Sequence, residues 1–202
     1  FSTGGGFDYS WSPDGKWFTL EFIGNRHDPY SDIGMVSAQG GKIINLTNSG
    51  YTSGSPRWVL DGNAILFITE RYGMRAHASW GSLNDVMLVF MNQDAYDKFR
   101  LSKEDYELQK ELEKEQKNTT ETKKNGKKKG DNKEKSEEKK EEKVKDIVVE
   151  LNNIEDRIVR LTPNSSDLGS AIITKDGETL YYLSAFEGGY DLWKMNLRKK
   201  DT

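Results

Sequence analysis

The two histidines are the side chains best suited to proton transfer, and each has a possible partner close by. Asp28 follows His27, and Ser79 stands two residues after His77. A catalytic triad, however, needs base, nucleophile and orienting acid to converge in space, which closeness along the chain does not supply. Both histidines fall in loops predicted to follow second strands. We therefore assign them surface or loop-packing roles and predict no catalytic residue.

Metal and cofactor sites are also not indicated. His27, Asp28 and Asp32 match no structural-zinc spacing, and such carboxylates suit turns equally well. Cysteine is absent, which excludes disulfides and Cys-based zinc sites and leaves the redox compartment open. No Gly-x-Ser-x-Gly elbow, phosphate loop or dinucleotide fingerprint occurs. The sequence predicts neither a metal nor a cofactor.

One loop has the residue types that hold peptides. Arg71 and Arg75 flank Tyr72, and loops at strand ends often carry binding residues. Guanidinium groups bind carboxylates through paired hydrogen bonds. Trp80, beside Gly81 and outside any repeat, is a further candidate for ligand contact. We predict peptide or partner contact at Arg71, Arg75 and Trp80, with a plain solvated loop as the simpler alternative.

The elements that position this loop are set by a repeated turn. Ser12-Pro13-Asp14-Gly15 returns in degraded form at Asp61-Gly62 and at Asp176-Gly177. Proline presets φ, aspartate bonds its own downstream backbone, and glycine adopts positive φ, so each copy predicts a tight reversal between two strands. Apolar, aromatic and β-branched runs follow each turn, as expected of buried strands.

Two further marks recur in register with the turns. A Leu-Thr pair precedes the second and third turns, with Thr47 and Thr162 each 15 residues before the turn glycine. A third strand of each unit opens with aspartate, at Asp32, Asp85 and Asp191. Each unit therefore has four antiparallel strands and a period near 47 residues, which is typical of β-propeller blades.

We predict an all-β fold, a partial β-propeller of two complete four-stranded antiparallel blades and most of a third. Blade 1 covers about 7–47, blade 2 about 54–92 plus 154–162, and blade 3 about 169–197. Trp11, Trp17, Trp58 and Trp193 sit at repeat positions and are expected to pack in the core.

An insertion at 93–153 separates the third and fourth strands of blade 2. Its first part, about 95–117, carries apolar residues among Lys and Glu and predicts helix, with a capping box at Ser102 and Asp105. The part at 118–143 has almost no apolar residue and is predicted to be disordered. Between Ser102 and Asp146 stand 15 Lys and 14 acidic residues, so the tract is nearly neutral and indicates a solvated spacer.

Outside residues 102–146 the chain has 15 basic and 19 acidic residues. The net charge of that part is −4, which offers no general attraction for nucleic acid. No apolar run reaches the ~20 residues of a membrane span, and the first residues do not resemble a signal peptide. The chain does not begin with Met, and the third unit lacks its fourth strand. We expect the sequence to be a sector of a larger propeller and a piece of a longer protein.

With these motifs laid out, the chain resembles the blades of TolB-type and tricorn-type propellers. The tract from Ile154 to Thr162, after a long charged insertion in the same blade, is more specifically similar to the propeller region of bacterial tricorn-type serine peptidases. Blades of this pattern occur in many unrelated proteins, so they indicate fold better than function.

The tricorn-type resemblance implies a large peptidase in which propellers channel peptides toward a separate catalytic domain. The fragment itself would be non-catalytic. Its partners would be the remaining blades and the catalytic domain of the same chain, peptide or unfolded-protein substrates and, in a homo-oligomeric parent enzyme, further copies of that enzyme. A TolB-like protein-interaction scaffold and the gating propeller of a prolyl-oligopeptidase-type hydrolase are the alternatives. A bacterial periplasm and a cytoplasm both fit these readings.

Overall fold

The computed structural model describes residues 9–24, 30–75, 81–125, 145–199 and 201, with the backbone alone given for 116–125. Contacts divide the chain into two compact units, 1–99 with 145–202 and 100–144. Within the described residues, no helix combines the length and apolar character needed to cross a membrane.

The first unit contains three antiparallel sheets, in each of which consecutive strands pair. The strands of the first sheet are β1 (Tyr9–Trp11), β2 (Trp17–Phe22), β3 (Asp32–Ser37) and β4 (Ile44–Asn45). Those of the second are β5 (Ser53–Val59), β6 (Ala64–Thr69), β7 (Asp85–Phe90) and β8 (Ile158–Arg160), and those of the third are β9 (Asp167–Ile173), β10 (Thr179–Ala185) and β11 (Asp191–Asn196).

The second sheet is buried on both faces. Along β7, Val86, Leu88 and Phe90 pack in one cluster with the third sheet, whereas Met87 and Val89 pack in another with the first. Successive side chains of a strand point to opposite faces, so a strand covered on both sides is apolar along its length, as β7 is after Asp85. This explains why every residue of β7 is buried.

The predicted turns join the first two strands of each sheet. Gly15, Gly62 and Gly177 all have positive φ, at 68°, 89° and 72°. In the outer two turns a hydroxyl stands two residues before the aspartate and donates to it, from Ser12 to Asp14 at 2.6 Å and from Thr174 to Asp176 at 2.6 Å. These short bonds close the reversal locally.

After the insertion the chain returns through a segment that we call the strap, residues 145–153. The Ile147 N–H donates to an Asp14 carboxylate oxygen at 3.0 Å, and the Glu150 N–H donates to the Met91 carbonyl at 2.8 Å. Buried Arg157 then donates to the carbonyls of Phe90, Asn152 and Glu150. The strap therefore packs beside the turns and does not form a strand.

Helices α1 (Gln93–Arg100) and α2 (Lys103–Asn125) follow β7. The capping interaction predicted for α2 is present, because the Ser102 hydroxyl accepts the Asp105 N–H at 3.1 Å and donates to its carboxylate at 2.8 Å. The helix continues to Asn125, into the range 118–143 for which disorder is predicted. The rest of the range, 126–143, lies outside the described residues.

Candidate functional site: the Arg71 loop surface

Antiparallel order places alternate loops at opposite ends of the sheets. The Asp-Gly turns, the start of α1 and the strap lie at one end, which we call the turn end. The loops after β2 and β6 and the links between sheets lie at the other, which we call the junction end. The predicted contact residues Arg71 and Arg75 belong to the loop after β6, at the junction end.

The Arg71 loop is held against the segment that returns to β7. The Leu83 N–H donates to the Met74 carbonyl at 2.9 Å, and the Gly73 N–H donates to the Glu70 carbonyl at 3.3 Å. A Cβ at Gly73 would lie 2.0 Å from the Leu83 carbonyl oxygen, so only glycine permits this approach. The close approach fixes the base from which Arg71, Tyr72 and Arg75 project.

Guanidinium groups and tyrosine rings alternate on this surface. Arg75 lies over the Tyr51 ring at 4.8 Å, and Tyr72, half exposed, has Arg71 at 5.6 Å and Arg160 at 5.1 Å from its ring centre. Such stacking stabilises a cation over the ring face and restricts its side-chain freedom. We define the Arg71 loop surface as Tyr51, Arg71, Tyr72, Arg75 and Arg160.

The carboxylates near these arginines are buried beneath them. Glu70 is 1% exposed and accepts the Thr52 N–H at 3.2 Å, with Arg75 at 3.8 Å. Asp85 is fully buried and is 2.9 Å from Arg160. Arg71 and Arg75 are exposed, so the charge presented outward is positive. Beside them lies a small depression lined by Thr47, Ser49, Ser53, Phe67, Thr69, Arg71, Met87 and Ile158.

Asp85 positions Arg160. Its carboxylate accepts from the Arg160 Nε at 2.9 Å, from the Thr162 hydroxyl at 2.7 Å and from the Ser165 hydroxyl at 2.7 Å. These hydrogen bonds therefore fix the positions of Asp85 and Arg160 together. The Arg160 guanidinium remains about one-third exposed. Charge-assisted bonds of this kind are short and hold geometry well.

Of the residues of this surface, the sequence predicted contact at Arg71 and Arg75, and it did not point to Arg160 or Tyr51. The signal for Arg160 was present: it stands two residues before Thr162, where Asn45 stands two before Thr47, and Asn45 donates to Asp32 at 2.9 Å. Trp80, His27, Asp28 and His77 lie outside the described residues. Within the described part, no group of three or more His, Cys, Asp and Glu is placed to hold a metal ion.

The tryptophans divide between core and surface. Trp17 and Trp58 pack at the edge of one core cluster and Trp193 at the edge of the other, as expected. Trp11 is 50% exposed and lies against Phe18 with ring centres 3.7 Å apart, so its predicted burial is wrong. It belongs to β1, on a sheet that has a neighbouring sheet on one side only among the described residues.

Comparison with solved structures identifies the fold of this chain. The chain superposes on the tricorn protease with a TM-score of 0.54 at 10% identity, over 96% of this chain and 17% of that one. It superposes on a putative TolB from Agrobacterium tumefaciens with a TM-score of 0.50 at 14% identity, over 98% of this chain and 48% of that one. The predicted TolB/tricorn-like partial propeller is confirmed, with two complete four-stranded blades and most of a third.

Among curated sequences, 59 residues are 39% identical to the Uncharacterized peptidase YuxL of Bacillus subtilis (strain 168), which is 29% of this chain and 9% of that protein. No family model matches the chain. The chain therefore spans less than half of the length of each of these proteins, from 9% of the curated peptidase to 48% of the putative TolB.

Proposed function

We propose that this chain is a non-catalytic propeller segment of a tricorn-type serine peptidase, in which the Arg71 loop surface contacts peptides on their way to a separate catalytic domain. The observation that carries the proposal is the alternation of guanidinium groups and tyrosine rings at the junction end, above buried carboxylates. The propeller likeness to the tricorn protease and the short match to a curated peptidase support the parent class.

The surface suits an extended peptide with a free carboxylate. Exposed guanidinium groups bind a carboxylate by two parallel hydrogen bonds, and rings beside them offer apolar contact to neighbouring side chains. The backbone contacts at Gly73 and Leu83 keep this loop close to its bound geometry, which reduces the entropy lost on binding.

Fluorescence anisotropy with a labelled, unstructured eight-residue peptide tests the contact. We expect Arg71→Ala with Arg75→Ala to weaken binding about tenfold, since a hydrogen bond to a charged group contributes about 1.5–3 kcal/mol. Amidation of the peptide's C-terminus is expected to cause a similar loss. Arg57→Ala removes an exposed arginine from β5, outside this surface, and is the matched control. Equal affinity in all variants would refute the contact.

The full-length gene product tests the parent class. In a tricorn-type peptidase the same double variant should raise KM for peptides with a free carboxylate and leave kcat unchanged, because the surface binds without touching the reacting bond. Mapping the nucleophilic serine identifies the class: a Gly-x-Ser-x-Gly elbow would indicate the prolyl-oligopeptidase type instead. Absence of peptide hydrolysis would favour a TolB-like interaction scaffold.

A further inference from the structure

The depression beside Arg71 lies where the end of the first blade meets the second. Its side in the second sheet is formed by Phe67, Met87 and Ile158, which all pack in one core cluster. Phe67 and Met87 are buried, so close packing fixes the shape of this side. Among the described residues that line the depression, Arg71 alone carries a charge.

Each of the four hydroxyl groups in the lining donates its proton to an acceptor of this chain. The pairs are Thr47 to the Asp32 carboxylate at 2.8 Å, Ser49 to the Tyr51 carbonyl at 3.1 Å, Ser53 to the Thr69 hydroxyl at 3.0 Å and Thr69 to the Thr52 carbonyl at 3.1 Å. A hydroxyl has one proton to donate, so none of the four can donate to a ligand. A carboxylate therefore finds a donor among these side chains only at Arg71, and a group inside the depression meets mainly apolar atoms.

The depression is also small. Its volume is about 10 Å³, which is about the room that one water molecule needs. A methyl group is close to a water molecule in size, whereas a longer side chain would have to displace Phe67 or Met87 from the core. Forcing extra groups into a packed core is unfavourable, so the size of the depression limits what can enter it.

We propose that this depression is the subsite for the last side chain of a bound peptide and that it selects alanine. The inference rests on the proposed function, in which exposed guanidinium groups bind the free carboxylate of a peptide. In a C-terminal residue the carboxylate and the side chain share one Cα, so a carboxylate on Arg71 brings the Cβ to the depression that Arg71 lines. Glycine leaves the depression empty, alanine fills it, and larger side chains do not fit.

Fluorescence anisotropy with three labelled eight-residue peptides tests the selection. The peptides differ only in the last residue, which is glycine, alanine or α-aminobutyrate and so carries no side chain, a methyl group or an ethyl group. We expect the alanine peptide to bind about fourfold more tightly than the glycine peptide, from the burial of one methyl group. The α-aminobutyrate peptide should bind about fivefold or more weakly than the alanine peptide, because the ethyl group overfills the depression.

A matched pair of variants changes the depression by one methyl group. Ile158→Val enlarges it and should make the α-aminobutyrate peptide bind at least as tightly as the alanine peptide. Ile173→Val removes the same group from a half-buried isoleucine of the other core cluster and should leave the order of the three peptides unchanged. Thermal melting of both variants verifies that each is folded at the temperature of the binding measurement.

Equal affinity for the glycine and alanine peptides would overturn the proposal and would mean that the depression holds only water. An unchanged order of the peptides in Ile158→Val would also overturn it. If the glycine and alanine peptides bind equally while Arg71→Ala with Arg75→Ala still weakens binding, the subsite is refuted and the carboxylate contact stands. If that double variant also leaves binding unchanged, the proposed peptide contact is refuted as well.

Discussion

Aspartates organise both ends of the blades, but they act over different distances. At the junction end, buried Asp85 binds Thr162, 77 residues away, and buried Asp32 binds Thr47, 15 residues away. At the turn end, Asp14 and Asp176 bind hydroxyls two residues away and are less buried. Junction aspartates therefore join separate strands, whereas turn aspartates close single reversals, and Asp14 in addition accepts the Ile147 N–H of the strap.

The middle turn departs from this scheme. Val59 stands where the other turns have Ser12 or Thr174, and the reversal is a short 3-10 helix with positive φ at Leu60 and Asp61, at 53° and 54°. The Leu60 side chain instead approaches Gly177 of the third blade, within 3.2 Å of the position of a Cβ there. A local hydrogen bond has been replaced by contact between blades.

The largest effect should come from Asp85→Ala. It leaves Arg160, Thr162 and Ser165 without their shared acceptor, and because Arg160 is about one-third exposed the loss should be about 3 kcal/mol, the lower end of the cost of breaking a buried ion pair. Asp32→Ala should cost about 1–3 kcal/mol, because the side chains of Asn45 and Thr47 and the Ser49 N–H are neutral donors. Urea unfolding measures both, and equal losses would contradict the distinction between charged and neutral donors.

The next largest should be Gly62→Val, at more than about 2 kcal/mol, since a β-branched residue tolerates positive φ poorly. A Cβ at Gly62 would also lie 2.3 Å from the Ile147 Cδ1 of the strap. Gly15→Val is the matched control, because its φ is similarly positive and nothing lies within 4 Å of its Cβ position. Thermal melting should show a clearly larger drop for Gly62→Val, and equal drops would mean that the strap does not constrain this turn.

A smaller and equal loss is expected for Thr47→Val and Thr162→Val. Each removes, at nearly constant volume, the hydroxyl that donates to Asp32 or to Asp85, which should cost about 1–2 kcal/mol. Chemical unfolding of the two variants, side by side, compares the contributions of the two hydroxyls to stability. A difference above about 1 kcal/mol would show that Arg160 changes the contribution of its neighbour in blade 2.

Much of the fold was predictable because polar residues, as well as apolar ones, recur at equivalent positions in successive blades. The turn glycines, the Asp-led third strands and the Leu-Thr pairs identified the order and register of the strands. The hydrogen bond between the aspartate and the threonine could not be predicted: Asp85 and Thr162 are separated by the insertion, and no adjacent residue indicates that their side chains meet. The hydrogen bond becomes evident only because it occurs in both blades, between Thr47 and Asp32 as well as between Thr162 and Asp85.

The candidate site was predictable in part for a similar reason. Arg71 and Arg75 stand in a loop, and arginines in loops are commonly exposed and able to bind ligands. Arg160 stands in a strand and reaches the surface only through its long side chain. Helix α2 extends beyond its predicted end because the sequence marks its start by a cap and marks no stop before Asn125. Capping can be read from adjacent residues, whereas contact between strands depends on the whole sheet.

The smallest effect should be at Asp14, and its pH dependence distinguishes the turn end from the junction end. Burial alone would raise the pKa of Asp14, but hydrogen bonds from Ser12, Ile147 and Lys16, with the Lys16 charge, outweigh it and lower the pKa below 3.8. A carboxyl with a lowered folded-state pKa stabilises the fold fully above its unfolded pKa and loses that contribution as the pH falls through the folded value. Asp14→Asn should therefore cost about 0.5 kcal/mol at pH 7, because the group is partly exposed and screened. The difference from the parent chain should vanish as the pH falls below 3.8, and urea midpoints measured from pH 7 to pH 2.5 would show it. A difference that persists at pH 2.5 would mean that the side chain acts through its shape at the turn and not through its charge on the strap.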